Sequence, residues 1–345
     1  MAAAALLASE MAGTIGPAGL SGGVARAEDA MVLPAGIWRI YAVPVWSAVE
    51  SAFDGTGERR EIPPGAGRIR AFNLGLAVEY GVNDWIAVGV QWTPGANLSS
   101  SFDFPAGDPG HRDRASLDDS FDALAGVKIG IVGSSGDGPR WATGLRKSDW
   151  LRFAVGLGLK FPVTAVDWER EARSYASGGT WLAQTADRHL VAPVLGLYAD
   201  LVLLRSRKRE LFVDVYAQYI PYLATARYAE TSLARYLDPA LAGVRVDYRY
   251  DLFVEVEPRF DAWVWTGVLR AGIYLPVRHR FYPATRLDGV DQGNSGYRTT
   301  VFPTLDLMTP LLGFTLEMKV GWQRTVAGRN VAATDSLVVV LRAML

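Results

Sequence analysis

Three histidines, His111, His189 and His279, are the only imidazoles in the chain, and there is no cysteine. Thiolate nucleophiles, disulfides, iron–sulfur clusters and cysteine-based zinc sites are therefore excluded together. A hydroxyl nucleophile needs a base within hydrogen-bond reach. His111 precedes Arg112-Asp113, His189 precedes Leu190-Val191 and His279 precedes Arg280-Phe281, so no His-x-Ser pair occurs. Asp187-Arg188-His189 has a spacing that could position water, but a loop histidine beside a carboxylate is more simply a solvated pair. Asp103, Asp108, Asp113, Asp118 and Asp119 could hold a divalent cation, although the same residues also solvate a long exposed loop. No Walker loop, His-Glu-x-x-His or EF-hand pattern is present. Gly156-Leu157-Gly158 sits within a strand pattern, where glycine eases packing and no helix follows to bind phosphate. No catalytic residue, metal site or cofactor is expected.

The polar chemistry that remains lies on alternate positions of apolar segments. In 152–161, Phe153, Val155, Leu157, Leu159 and Phe161 share one face, while Arg152, Ala154, Gly156, Gly158 and Lys160 share the other. The same division recurs in 72–80, and in 314–323 Phe314, Leu316, Met318, Val320 and Trp322 oppose Thr315, Glu317, Lys319, Gly321 and Gln323. Period two is the strand signal, and helical spacing is nearly absent.

The elements that must position these residues are strands near 36–49, 68–80, 85–93, 121–132, 150–163, 189–203, 211–221, 247–257, 265–277, 299–308, 314–325 and 336–345. Their connections alternate in length. Short turns are expected at 81–84, 205–210, 258–261 and 309–313; longer loops at 54–67, 94–120, 164–188, 222–246 and 278–298. The linker 133–149 is long on the short side.

The chain has 345 residues, 50% of them hydrophobic, with Lys+Arg 35 against Asp+Glu 36 and a net charge of -1. No field gathers a nucleic-acid backbone, so nucleic acid is not an expected partner. No run of 18 apolar residues follows the first thirty, which excludes helical spans. Alternating strands, an apolar face, a small or charged face and alternating loop lengths together fit an all-β transmembrane antiparallel barrel of about twelve strands. A soluble sandwich also alternates, but its solvent face should be rich in Lys, Glu, Thr and Ser. Trp38, Trp85, Trp150, Trp263, Trp265 and Phe314 stand at the short-turn ends of strands, and Trp92, Phe161, Tyr219 and Trp322 at the far ends. Two interfacial girdles account for that clustering better than strand propensity alone.

Charge facing lipid near the midplane costs roughly 2–4 kcal/mol, so parity turns the charged residues toward the lumen. The pore-lining set expected on this basis is Glu79, Asp122, Lys128, Arg152, Lys160, Tyr198, Asp214, Tyr216, Asp251, Phe253, Glu255, Glu257, Arg270, Tyr274, Asp306, Glu317 and Lys319. Arg39, Asp200, Arg249 and Arg342 belong to the same inward class. Mixed signs on neighbouring strands argue for ion pairs and against a strongly selective ion filter; the plainer reading is that such charges merely satisfy one another in a wet interior.

Met1 to Ala27 is rich in Ala, Gly and Leu, and Ala25-Arg26-Ala27 has the small-x-small form of a signal-peptidase site. Residues 1–27 read as a signal peptide and 28–345 as the barrel. No basic residue precedes Arg26, and a plain Ala/Gly tail is the alternative reading.

The phrases Ala77-Val78-Glu79-Tyr80-Gly81-Val82-Asn83-Asp84-Trp85-Ile86-Ala87-Val88-Gly89-Val90, Gly156-Leu157-Gly158-Leu159-Lys160-Phe161-Pro162 and Arg270-Ala271-Gly272-Ile273-Tyr274-Leu275-Pro276 resemble strand-turn-strand units of bacterial outer-membrane channels. Their style is similar to the family of outer-membrane transporters associated with phenol meta-pathway operons. That resemblance implies a cell outer-membrane location, and passive uptake of small solutes, hydrophobic or aromatic ones among them. Outer-membrane lipid and the barrel-assembly machinery are the expected partners. Barrel phospholipases carry His-x-Ser, which is missing here; omptin-like proteases carry Asp-x-His, matched only by Asp187-Arg188-His189. A surface-exposed structural or adhesive barrel with a closed lumen is the alternative, and a barrel hydrolase ranks below it.

Overall fold

The computed structural model describes residues 30, 32–64, 68–103, 110–112, 121–134, 145–163, 190–206, 208–227, 243–311 and 314–345. Among these residues, twelve antiparallel strands close into a barrel. They are β1 (Trp38–Phe53), β2 (Arg68–Asn83), β3 (Ile86–Asp103), β4 (Ala123–Ser134), β5 (Leu151–Phe161), β6 (Ala192–Arg205), β7 (Arg209–Pro221), β8 (Tyr250–Trp265), β9 (Leu269–Tyr274 and Val277–Tyr282), β10 (Gly296–Val301 and Thr304–Leu311), β11 (Phe314–Arg329) and β12 (Val331–Met344). Each strand pairs with the next, and β12 returns to β1 in a register from Arg39↔Met344 to Phe53↔Val331. Closure leaves no unpaired edge, which is what a sheet in hydrocarbon requires. No helix among the described residues is long and apolar enough to cross a membrane.

The outer face is apolar and bare. Ile40, Leu76, Val90, Leu159, Leu197, Ile273, Leu305, Met318 and Leu341 are all exposed. A continuous belt of that kind is incompatible with water, because soluble monomers rarely leave large contiguous apolar patches open. Trp38, Trp85, Trp150 and Trp265 stand exposed at one end; Trp46, stacked on Phe72 with ring centroids 4.6 Å apart, stands with Tyr219 and Trp322 toward the other. Leu197→Arg on this belt is expected to destabilise the folded barrel by about 2–4 kcal/mol. Urea titration in lipid vesicles reads the loss; a change within error would mean that Leu197 does not face lipid.

Three prolines explain where the expected strand limits fail. β8 runs unbroken through Pro258, and the turn expected at 258–261 lies instead at 266–268, where Gly267 takes φ 78. Pro276 interrupts β9 and Pro303 interrupts β10, so two adjacent strands share a break. Proline cannot donate to the ladder. The ladder is carried past each of them by Leu275 N–H to Pro258 O (3.0 Å), Phe302 N–H to Pro276 O (2.9 Å) and Trp322 N–H to Pro303 O (3.2 Å). Residues 278–282, expected in a loop, therefore continue β9, and β10 begins at Gly296. The loop between them forms a small antiparallel sheet, Arg286–Leu287 with Val290–Asp291, that also joins Arg245–Asp247 and Ala226–Arg227. Arg249, expected to face inward on a strand, lies before β8 with φ 61, its N–H donating to Asp247 Oδ1 at 2.8 Å. β11 and β12 are longer than expected and meet at Asn330, φ 52. The signal-peptide reading (1–27), the Asp187-Arg188-His189 triplet and Asp108, Asp113, Asp118 and Asp119 lie outside the described residues.

Candidate functional site: the barrel lumen

Alternation along each strand sends one set of side chains inward, and most residues of the expected pore-lining set are buried. Glu79, Asp122, Lys128, Arg152, Lys160, Asp214, Tyr216, Asp251, Phe253, Glu255, Glu257, Tyr274, Asp306, Glu317 and Lys319 are buried; Tyr198 and Arg270 are half-buried. Most meet partners of opposite sign on neighbouring strands. Arg39 pairs with Glu79, Arg342 with Glu317 and Arg278 with Glu255. Arg152 meets Asp200 at 3.4 Å and Lys160 meets Asp122 at 2.7 Å. A chain of contacts runs from Lys160 Nζ to the Tyr222 hydroxyl (2.9 Å), which donates to Asp251 (2.9 Å), which in turn accepts from Arg280 (3.0 Å). A second centre is built on Asp261, which accepts from Arg259 Nε (2.8 Å) and the Tyr274 hydroxyl (2.9 Å) and faces Arg270 at 2.9 Å. Tyr274 also bonds Asp306.

The inner wall has two faces of different chemistry. On β12, β1 and β2, the inward residues Val338, Val340, Tyr41, Val43, Val45 and Ala77 form a buried apolar cluster, closed by Phe121 and Phe302. Parity alone had assigned apolar side chains to lipid. The signal for this wall is that β1 is apolar on both faces, with Ile40, Ala42 and Trp46 outward and Tyr41, Val43 and Val45 inward, as in strands buried on two sides.

Across the lumen stands an aromatic arc. Tyr198 on β6 lies 4.7 Å from Tyr216 on β7, which meets Phe253 on β8 at 5.6 Å. Lys128 Nζ sits 4.5 Å above the Tyr198 ring, a favourable cation–π distance. Glycine makes room for this ring: a Cβ at Gly156 or Gly196 would stand 3.1 Å from Tyr198 Cε2.

Two cavities fill the space between wall and arc. One is lined by Tyr41, Glu79, Lys128, Tyr198 and Tyr216, the other by Phe121, Asp122, Lys160, Asp251, Phe253 and Arg280. Gln91, Leu124 and Gln218 line both and form the neck between them.

A strap crosses the end of the barrel where β1 begins. Ala30, Val32 and Leu33 are buried, and Ala30 N–H donates to Asp200 Oδ1 on β6 at 2.7 Å. At Gly81 on β2, a Cβ would stand 2.0 Å from Pro34 O and 2.6 Å from Leu33 O. The chain therefore spans the lumen from β2 to β6.

Belt, girdles, closed sheet and polar interior define an outer-membrane β-barrel. An outer-membrane channel from Pseudomonas putida F1 has this architecture, with a TM-score of 0.59, 13% identity and coverage of 92% of this chain and 97% of that one. The β domain of a Bordetella autotransporter gives 0.40 at 10% identity, covering 89% and 98%. The translocator domain of an autotransporter from Neisseria meningitidis gives 0.41 at 11% identity, covering 94% and 92%. At 13% identity the likeness to the Pseudomonas channel is one of fold. No family model and no curated protein matches the chain.

Proposed function

We propose that the barrel is an outer-membrane channel for the passive uptake of small solutes with an apolar or aromatic body. The observation that carries this reading is the pair of joined cavities between an apolar wall and an aromatic arc. Most buried charges are neutralised by neighbours, so the lumen offers polar contacts without a strong net field. A solute slides with its apolar face on Tyr41, Ala77 and Phe121 and its ring against Tyr198 and Tyr216, then passes the Gln91–Gln218 neck. Insertion by the barrel-assembly machinery belongs to the same reading, and β12 alternates from Thr334 to Leu341.

Proteoliposome swelling tests the solute preference. Phenyl glucoside is expected to enter faster than sucrose, and Tyr198→Ala should remove most of that advantage. Equal rates for the two solutes would contradict the aromatic preference. The strap supports a second reading, a structural barrel with a closed lumen, which predicts no swelling with either solute.

A further inference from the structure

The inner face of β9 and β10 gathers three arginines, and one of them is not compensated. Arg278 pairs with Glu255 and contacts Gln323 at 3.1 Å; Arg280 bonds Asp251 at 3.0 Å. Arg298 stands directly opposite Arg280 in the β9–β10 register, is 5% exposed, and has no carboxylate or hydrogen-bond partner among the described residues. Like charges placed directly across a strand pair are destabilising, and a buried guanidinium without an acceptor is costly. Both penalties fall when an oxyanion docks, because the guanidinium fork matches a carboxylate bidentately.

The surroundings define what such an anion would carry. Arg280 crosses over the Tyr282 ring at 5.4 Å, and Tyr282 packs on the apolar cluster Phe53, Val331 and Ala333. Arg280 also lines the second cavity together with Phe121 and Phe253. A charged head beside Arg298 would thus have an apolar surface for its body on either side.

We propose that Arg298, flanked by Arg280 and Tyr282, is a luminal binding site for the carboxylate of a small organic acid with an apolar body. The site deepens the channel reading and rests on it for its purpose: it draws an anionic solute into the lumen at the end opposite the strap.

Benzoate binding to the detergent-solubilised protein, measured by titration calorimetry, tests the site without requiring conduction. Wild type should bind benzoate at least about tenfold more tightly than neutral benzamide, and Arg298→Gln should lose that margin. Arg298→Lys keeps the charge and should retain part of it. Heat-modifiable migration on gels confirms that each variant is folded, and if Arg298→Gln does not fold, the benzamide comparison and Arg298→Lys still decide. Equal binding of benzoate and benzamide, or full benzoate affinity in folded Arg298→Gln, would overturn the proposal. Binding of phenyl phosphate without benzoate would overturn the assignment to carboxylates. Loss of the site with phenyl glucoside swelling intact removes the anion site alone; loss of swelling with benzoate binding intact removes the channel reading alone.

Discussion

Asp261→Ala is expected to cost the barrel about 3–5 kcal/mol, the range for removing one partner of a buried ionic cluster. Asp261 is 1% exposed and is the shared acceptor of Arg259, Arg270 and Tyr274. Without it Arg270 keeps only Glu210, and Arg259 keeps Asp214 at 3.8 Å. Two guanidiniums would then share too few acceptors inside the wall, and the Tyr274 hydroxyl would keep only Asp306. Tryptophan fluorescence during denaturant unfolding in vesicles reads the loss, since Trp263 and Trp265 end the same strand. By contrast Arg324→Ala, which removes a surface partner of Asp335 at 3.5 Å, should cost less than about 1 kcal/mol. A loss from Asp261→Ala as small as that of Arg324→Ala would mean that the inner cluster does not hold the strands together.

Gly81→Val is expected to raise the conductance several-fold. The atoms that a Cβ at Gly81 would meet are backbone carbonyl oxygens, which cannot swing aside as a side chain can. Strand β2 is fixed on both sides by β1 and β3, so the strap is the part that yields. Asp200→Ala attacks the other anchor by removing the acceptor of Ala30 N–H. It also leaves Arg152 without its 3.4 Å partner, so its stability must be checked alongside. Both variants should open the same end of the lumen, although they lie on strands well separated around the barrel. If both fold and neither changes the current, the strap does not limit passage.

The twelve-strand order and the inward direction of the charges were legible because period two survives wherever a strand is regular. Legibility ended where the backbone departs from regularity. Pro258 reads as a turn signal, yet it stays in register opposite Val213 and its carbonyl accepts from Leu275 N–H, which keeps it inside β8. That misplacement hid Arg259 and Asp261, and with them the centre of the ionic cluster. Reading 278–298 as loop hid Arg278, Arg280 and Arg298 in the same way: Pro276 reads as a strand end, although Tyr274, Pro276 and Arg278 keep one buried parity across it. The apolar inner wall was visible in principle, because 40–49 carries apolar residues on both parities. The strap was not, since nothing local in Ala30 to Pro34 encodes that its carbonyls will lie over a glycine far along the chain.

Single-channel recording in planar bilayers, comparing wild type with Gln218→Trp, tests the conducting lumen most directly. Gln218 lines both cavities, so a tryptophan there fills the neck without touching the lipid-facing belt. The wild-type protein should give discrete current steps, and Gln218→Trp should reduce them sharply while keeping a heat-modifiable fold. Absence of steps in the wild type, or steps of unchanged size in folded Gln218→Trp, would contradict passage through this lumen.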